Sequence, residues 1–136
     1  MQEEPKQVIV VRKDLNMRKG KIAAQAAHAS MAVLLNIMDK DDDPLFPLVW
    51  FRLGMEKDKA LHQWLTKRFT KICVSVDSEQ ELMDIFNQAN EAKLLCAMIT
   101  DAGLTEFNGV PTRTCLAIGP AYPERIDPIT QHLKLL

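Results

Sequence analysis

The chain has 136 residues, 47% of them apolar and 26% charged, with a formal net charge of −1. That length fits a single domain over residues 1–136, which buries about two-thirds of its unfolded surface without staples. The charge argues against a dedicated nucleic-acid binder, which is usually basic. No apolar run is long enough to cross a bilayer, so no membrane partner is expected, and the opening Met1-Gln2-Glu3-Glu4-Pro5-Lys6 is too polar for a signal segment.

Residues 7–12 are a continuous apolar run and predict a central strand buried on both faces. A loop over 13–18 then feeds a helix over about 19–35. In the acidic run Asp39-Lys40-Asp41-Asp42-Asp43 a solvated loop is expected, and Pro44 and Pro47 forbid a regular helix there. Leu45-Phe46-Pro47-Leu48-Val49-Trp50-Phe51 suits either core or a subunit interface, where Trp and Phe are enriched; core is the expectation carried forward. Leu61, Trp64, Leu65 and Phe69 recur at helical spacing and predict a helix over 56–69, with His62 among its polar positions.

The second strand is expected at 71–76. Ser78, with Glu81 three residues on, makes a capping box, and Leu82, Ile85, Phe86 and Ala89 carry that helix to about 92. A third strand at 94–99, a loop at 100–111 and a fourth strand at 112–118 follow, with Gly119-Pro120 ending the last. The segment 123–133 predicts a helix that Pro128 starts or kinks. This order is α/β: a three-layer α/β/α sandwich with a four-stranded mixed β-sheet, parallel across the crossovers and open to an antiparallel strand at the short last connection.

Cys73, Cys96 and Cys115 are odd in number, far apart and set in apolar strand-like runs. They read as buried thiols in a reducing compartment, the cytoplasm, and not as a disulfide framework. His28, His62 and His132 have no ligand spacing to one another or to the cysteines, so no metal and no cofactor is expected.

The helix over 19–35 is the most informative stretch. At about 100° per residue, Lys21, Gln25 and His28 fall within a stripe roughly 60° wide. Nearly everything else on it is Ala, Ile, Met, Val or Leu, which predicts a buried helix whose polar stripe faces a cleft or internal partners. Arg18, Lys19 and Lys21 crowd its positive end, which is unfavourable unless an anion such as phosphate sits there. Solvated lysines at a loop-to-helix junction fit the same residues. In open α/β sheets the site lies beyond the carboxyl ends of the strands, which points to the loop leading to Lys21 and the turn carrying Asp101.

Three blocks carry a family resemblance. Val8-Ile9-Val10-Val11-Arg12-Lys13-Asp14-Leu15 with Met17-Arg18-Lys19-Gly20-Lys21-Ile22-Ala23-Ala24-Gln25 and Ala27-His28-Ala29 is the first, Thr100-Asp101-Ala102-Gly103-Leu104-Thr105 the second, and Thr112-Arg113-Thr114-Cys115-Leu116-Ala117-Ile118-Gly119-Pro120 the third. Together with the ending at Ile126-Asp127 and 130–136, they resemble the type II peptidyl-tRNA hydrolases over roughly half the chain. Two positions depart from that pattern: Thr100 replaces the usual acid, and Arg18 a usual small residue. The segment over 39–59 also looks longer than the family's.

The resemblance implies hydrolysis of the ester joining a peptide to the 3′-terminal ribose of tRNA, in a metal-free, cytoplasmic homodimer whose partner is peptidyl-tRNA. It implies that Asp101 orients or deprotonates water, that Lys21 holds the oxyanion or the terminal phosphate, and that Thr105 and Thr114 supply hydroxyl hydrogen bonds. Gln25 would orient water or the peptide carbonyl; His28 would do the same or serve the packing. Arg18, Lys19, Arg12 and Lys13 would contact tRNA phosphates. Ser30 lies across the helix from Lys21 and no cysteine is near His28 in sequence, so a covalent route is not expected. The alternative is a catalytically inactive family member that binds RNA or protein.

Overall fold

The structure, a computed structural model, describes residues 3–136, so the first two residues of the polar opening lie outside it. Its elements in chain order are β1 (Lys6–Arg12), α1 (Lys19–Ile37), β2 (Asp39–Asp42), β3 (Val49–Arg52), α2 (Ala60–Thr66), β4 (Lys71–Val76), α3 (Glu79–Glu91), β5 (Cys96–Asp101), β6 (Thr112–Ala121), α4 (Pro123–Thr130) and β7 (Lys134–Leu135). The main sheet has five strands in the order β5-β6-β1-β4-β7, and β2 and β3 form a separate two-stranded sheet.

The unbroken apolar run of β1 makes it the centre of the sheet, because a strand buried on both faces needs no alternation. Val8 and Val10 enter one core with Leu82, Ile85, Ile126 and Ile129 of α3 and α4. Ile9 and Val11 enter the other with Ala29 and Val33 of α1 and with Cys115 and Ala117 of β6. Helices therefore pack on both faces. β4 runs parallel to β1 with Val8 opposite Ile72, and β6 runs antiparallel to it with Val10 opposite Leu116. β5 is antiparallel to β6, so β1, β4 and β5 all finish at the same end of the sheet, where β6 begins.

The capping box at Ser78 forms as expected: its side chain accepts the Glu81 N–H, while the Glu81 carboxylate accepts the N–H of Asp77 at 2.7 Å. The expected four strands are five, because the two-residue β7 adds to the far edge of β4. β6 also runs through Gly119-Pro120 instead of stopping there. Gly119 passes so close to β1 that a Cβ would sit 2.7 Å from the Lys6 carbonyl, so the glycine permits an approach and does not end the strand. β5 starts and ends two residues later than expected, which makes Asp101 the last residue of a strand. α2 is shorter than the apolar spacing suggested; Trp64 alone of its residues is buried, its indole N–H donating to the Thr70 carbonyl at 2.7 Å. Pro123 opens α4, and Pro128 lies inside it.

Two expectations are overturned. The segment over 39–54 is neither a loop nor core: it is the β2–β3 hairpin, and every residue of both strands is exposed. An exposed apolar run of this kind pairs its own backbone and has no body of protein to bury against. Second, α1 is not buried all round. Gln25, Ala29, Val33 and Leu34 are buried, whereas Ala23, Ala24, Ala27, His28 and Met31 face solvent. Alanine has too little surface to force burial, so the polar stripe turns partly inward and the alanines partly outward.

Candidate active site

At the end of the sheet where β1 and β5 finish, four segments meet: the N-terminal turns of α1, the last residue of β5, the loop at 102–111 and the start of β6. The buried arc of α1 runs through Ile22, Ala26, Ala29 and Val33, with Gln25 on its shoulder and Lys21 at its edge. Inside lies Thr114, fully buried, whose hydroxyl donates to Gln25 Oε1. The Cys115 thiol donates to the Gln25 carbonyl at 3.3 Å, which fixes this turn of α1 against β6. Burial and Thr114's hydroxyl act oppositely on that thiol; burial wins and pushes its pKa up to about 11.

Gln25 Nε2 in turn donates to Asp101 Oδ1 at 3.3 Å. The Lys21 ammonium donates to the same Oδ1 at 2.8 Å and to Thr105 Oγ1 at 3.0 Å, and lies 5.8 Å from the centre of the Phe107 ring. The Lys21 and Asp101 side chains keep only 15% and 14% of their surface exposed, so the pair is sheltered yet open on one side. The Lys21 ammonium, then the Gly103 N–H at 2.8 Å from Oδ2, hold the Asp101 carboxyl below the usual aspartate range against a smaller opposing effect of burial. An ammonium has three donors and a carboxylate about four acceptor positions. Two donors and three acceptors are used here, which leaves each group one direction for substrate or water.

The loop that delivers Thr105 and Phe107 is closed on itself. Gly109 donates to the Gly103 carbonyl at 2.7 Å and Val110 to the Phe107 carbonyl at 2.9 Å. Gly103 has φ +83°, and a Cβ there would meet the Val110 carbonyl oxygen at 2.3 Å, so only glycine fits.

The structure thus brings together Lys21, Gln25, Asp101, Thr105 and Thr114. His28 is exposed, about 20° further round α1 than Lys21 and outside the cluster. Arg12 is engaged elsewhere: it grips Asp14 through two bonds of 3.1 and 2.6 Å and donates to the Arg113 carbonyl at 3.1 Å. Lys13, Arg18 and Lys19 are exposed at the same end of the sheet. Arg18 caps α1 without a side-chain bond, and the first turn has no acidic residue. Sequence reasoning missed Phe107 and the clamp from Cys115, because neither lies in a polar pattern. Among the described residues, no three His, Cys, Asp or Glu side chains converge as a metal site would require, and no helix is long and apolar enough to cross a membrane.

Comparison with known proteins gives the site its context. The family model for peptidyl-tRNA hydrolase PTH2 matches residues 5–136. A peptidyl-tRNA hydrolase of Methanocaldococcus jannaschii is 40% identical over 131 residues, covering 96% of this chain and 99% of the relative. One from Sulfurisphaera tokodaii is 42% identical over 131 residues, with 96% and 98% covered. A probable peptidyl-tRNA hydrolase 2 of Dictyostelium discoideum is 35% identical over 130 residues, with 96% of this chain and 54% of the relative covered. A match across both cores, the Lys21 turn and the Asp101 loop leaves one conclusion: the chain belongs to the peptidyl-tRNA hydrolase PTH2 family.

Proposed function

We propose that the protein hydrolyses the ester bond between peptide and tRNA in peptidyl-tRNA, releasing free tRNA and peptide. The observation that carries this reading is the Lys21–Asp101 pair, 2.8 Å apart and partly open, in a chain of this family. The free acceptor of Asp101 orients the attacking water. The free donor of Lys21 meets the oxyanion that forms as water adds to the carbonyl carbon, a contribution commonly worth about 10²–10³ in turnover. One water proton passes by way of Asp101 to the departing 3′-oxygen and the other leaves to solvent, so the products are a peptide carboxylate, a tRNA 3′-hydroxyl and a free proton. Thr105 holds Lys21, and Gln25, set by Thr114, holds Asp101. Lys13, Arg18 and Lys19 take tRNA phosphates, the helix N-terminus adding to their attraction. Arg12, already tied to Asp14, shapes the mouth of the site, and His28 serves the surface of α1.

The same reading takes residues 1–136 as one three-layer domain that works as a homodimer in the cytoplasm, where its three thiols stay reduced. The test is release of N-acetyl-aminoacyl groups from tRNA by the purified protein. Lys21→Ala and Asp101→Ala should each lower kcat by about 100-fold or more. A parent protein that releases nothing refutes the function; undiminished activity in both variants refutes the mechanism alone.

A further inference from the structure

Among the described residues, two apolar surfaces are left uncovered by the rest of the fold. The first is the β2–β3 hairpin, in which Asp39, Lys40, Asp41 and Asp42 pair with Arg52, Phe51, Trp50 and Val49. Beyond its exposed strands, the tip holds Leu45 at 84%, Phe46 at 63% and Leu48 at 50% exposure, and no hairpin residue enters either core. The hairpin is held by its own ladder and by Asp43, which accepts the N–H groups of Leu45 and Phe46 at 2.8 and 2.9 Å and the Trp50 indole N–H at 3.0 Å. A lone two-stranded hairpin is marginal in water. Six large side chains about half exposed present roughly 600 Å² of apolar surface, divided between the tip and the two faces of the hairpin.

The second surface is a groove of about 380 Å³ between α1 and the β1–β4 part of the sheet, lined by Ala27, Met31, Leu34, Phe69 and Cys73. It exists because α1 packs on β6, β5 and β1 and meets β4 only at the margin of this core, where Cys73 is half-buried. Its one charged wall residue is Lys71, whose ammonium lies 3.0 Å from the centre of the Phe69 ring and makes no ion pair among the described residues. Partial burial lowers the pKa of that amine, as expected of a cation that has lost water and gained no anion.

We propose that the 39–52 hairpin is an arm that seats in the α1–β4 groove of a second copy of this chain, its aspartates meeting Lys71. This deepens the homodimer reading above and rests on it. The signs match: four aspartates against Lys40 and Arg52 leave the arm negative, and the single charge of the groove wall is the Lys71 ammonium, which donates to the Phe69 carbonyl and has no carboxylate partner among the described residues. The same negative charge repels phosphate and excludes RNA as the occupant. Each copy carries one arm and one groove, so a two-fold axis seats both arms at once. With one face of each arm seated, two such contacts and the groove surface they cover come to about 1,200 Å², the lower end of what stable interfaces bury.

The test is the oligomeric state of the full chain, by sedimentation velocity and light scattering. The parent protein is expected to be a dimer. Val49→Glu and Phe51→Glu, both exposed and on one face of the hairpin, should each raise its dissociation constant by at least about tenfold with the circular dichroism unchanged. Lys71→Glu should do the same, and Asp42→Lys in that chain should restore association. Mixing a Phe51→Glu chain, which keeps its groove, with a Met31→Glu chain, which keeps its arm, should recover a heterodimer that neither forms alone. A monomeric parent overturns both the arm and the homodimer. A dimer that persists in every folded variant overturns the arm and leaves the homodimer standing.

Discussion

Substituting Gly103 by alanine tests how the site is assembled. The residue sits at φ +83°, which costs an L-residue about 1–2 kcal/mol. Its new Cβ would lie 2.3 Å from the Val110 carbonyl oxygen and 2.7 Å from that residue's C and N. These are backbone atoms, so no rotamer change relieves the overlap and the loop must open. Two contacts open with it: the Gly103 N–H on Asp101, and Thr105 on Lys21. Hydrogen bonds to charged groups contribute about 1.5–3 kcal/mol each, so losing one from the reacting geometry lowers kcat/KM by roughly 10- to 100-fold. Gly109 is the control. Its φ is +76°, yet nothing lies within 4 Å of the Cβ position, so Gly109→Ala carries the conformational cost without the overlap. Initial rates on N-acetyl-aminoacyl-tRNA, with thermal unfolding of both variants, give the comparison. Equal rates for the two variants would refute the account of the loop as a closed support for the site.

Thr114→Val keeps the shape of a buried residue but strands Gln25 Oε1; it should cost about 1–3 kcal/mol of stability and lower kcat/KM, and Thr114→Ser should restore both. Asp101 titrates below the ordinary aspartate value of 3.8, mainly because Lys21 donates to it. Any acid limb it gives the rate therefore falls below that pH, and a kcat/KM profile with an Asp101-dependent limb near neutrality would contradict the geometry. The same sign applies to stability. The lowered folded pKa favours folding above the unfolded value and loses that advantage as pH falls through the folded one, so Asp101→Asn should flatten this part of an acid-unfolding curve. Gln7 is fully buried on β1, accepting from the Ser30 hydroxyl at 2.6 Å and donating to the Gly119 carbonyl at 3.2 Å. Gln7→Leu should lose about 1–3 kcal/mol in denaturant unfolding while leaving kcat unchanged, since it acts at the far end of the sheet.

Elements whose residues carry a burial signal of their own were legible in the sequence. β1 and β4 stand where apolar runs put them, and the Ser78–Glu81 box starts α3, because each rests on interactions within a few residues. The hairpin was not legible, because Trp50 and Phe51 are as apolar in a core as on an uncovered arm; what distinguishes the two is the partner surface, which local pattern does not encode. Gln7 was absorbed into an apolar run, since only the fold shows that Ser30 and Gly119 satisfy it. Around the site, polar spacing on α1 drew attention to Lys21, Gln25 and His28 alike. The wheel alone does not locate the edge of the buried arc, and His28 falls just beyond it. Phe107 had no signal at all: its position over Lys21 follows from the turn that Gly103 and Gly109 close.

Under the proposed mechanism, the depressed pKa of Asp101 divides the work between the two charged groups. A carboxylate that already accepts from Lys21, Gln25 and Gly103 is a weak base. It therefore contributes more by fixing the direction of a water molecule than by drawing off its proton, and the proton moves late, as the 3′-oxygen leaves. An ester is activated enough for that to suffice, whereas an amide would need a stronger base. The same contacts explain why α1 carries so many alanines beside one buried glutamine. Ala26 and Ala29 let the helix approach the sheet closely enough for the Thr114 hydroxyl and Cys115 thiol to reach Gln25, and bulkier residues there would lift Gln25 and Lys21 away from Asp101. Because Lys21 and Asp101 neutralise each other, the pair attracts no polyanion by itself. In the proposed reading that task falls to Lys13, Arg18 and Lys19 around it, so that a chain of net charge −1 would hold a tRNA end by a short contact and not by a broad basic face.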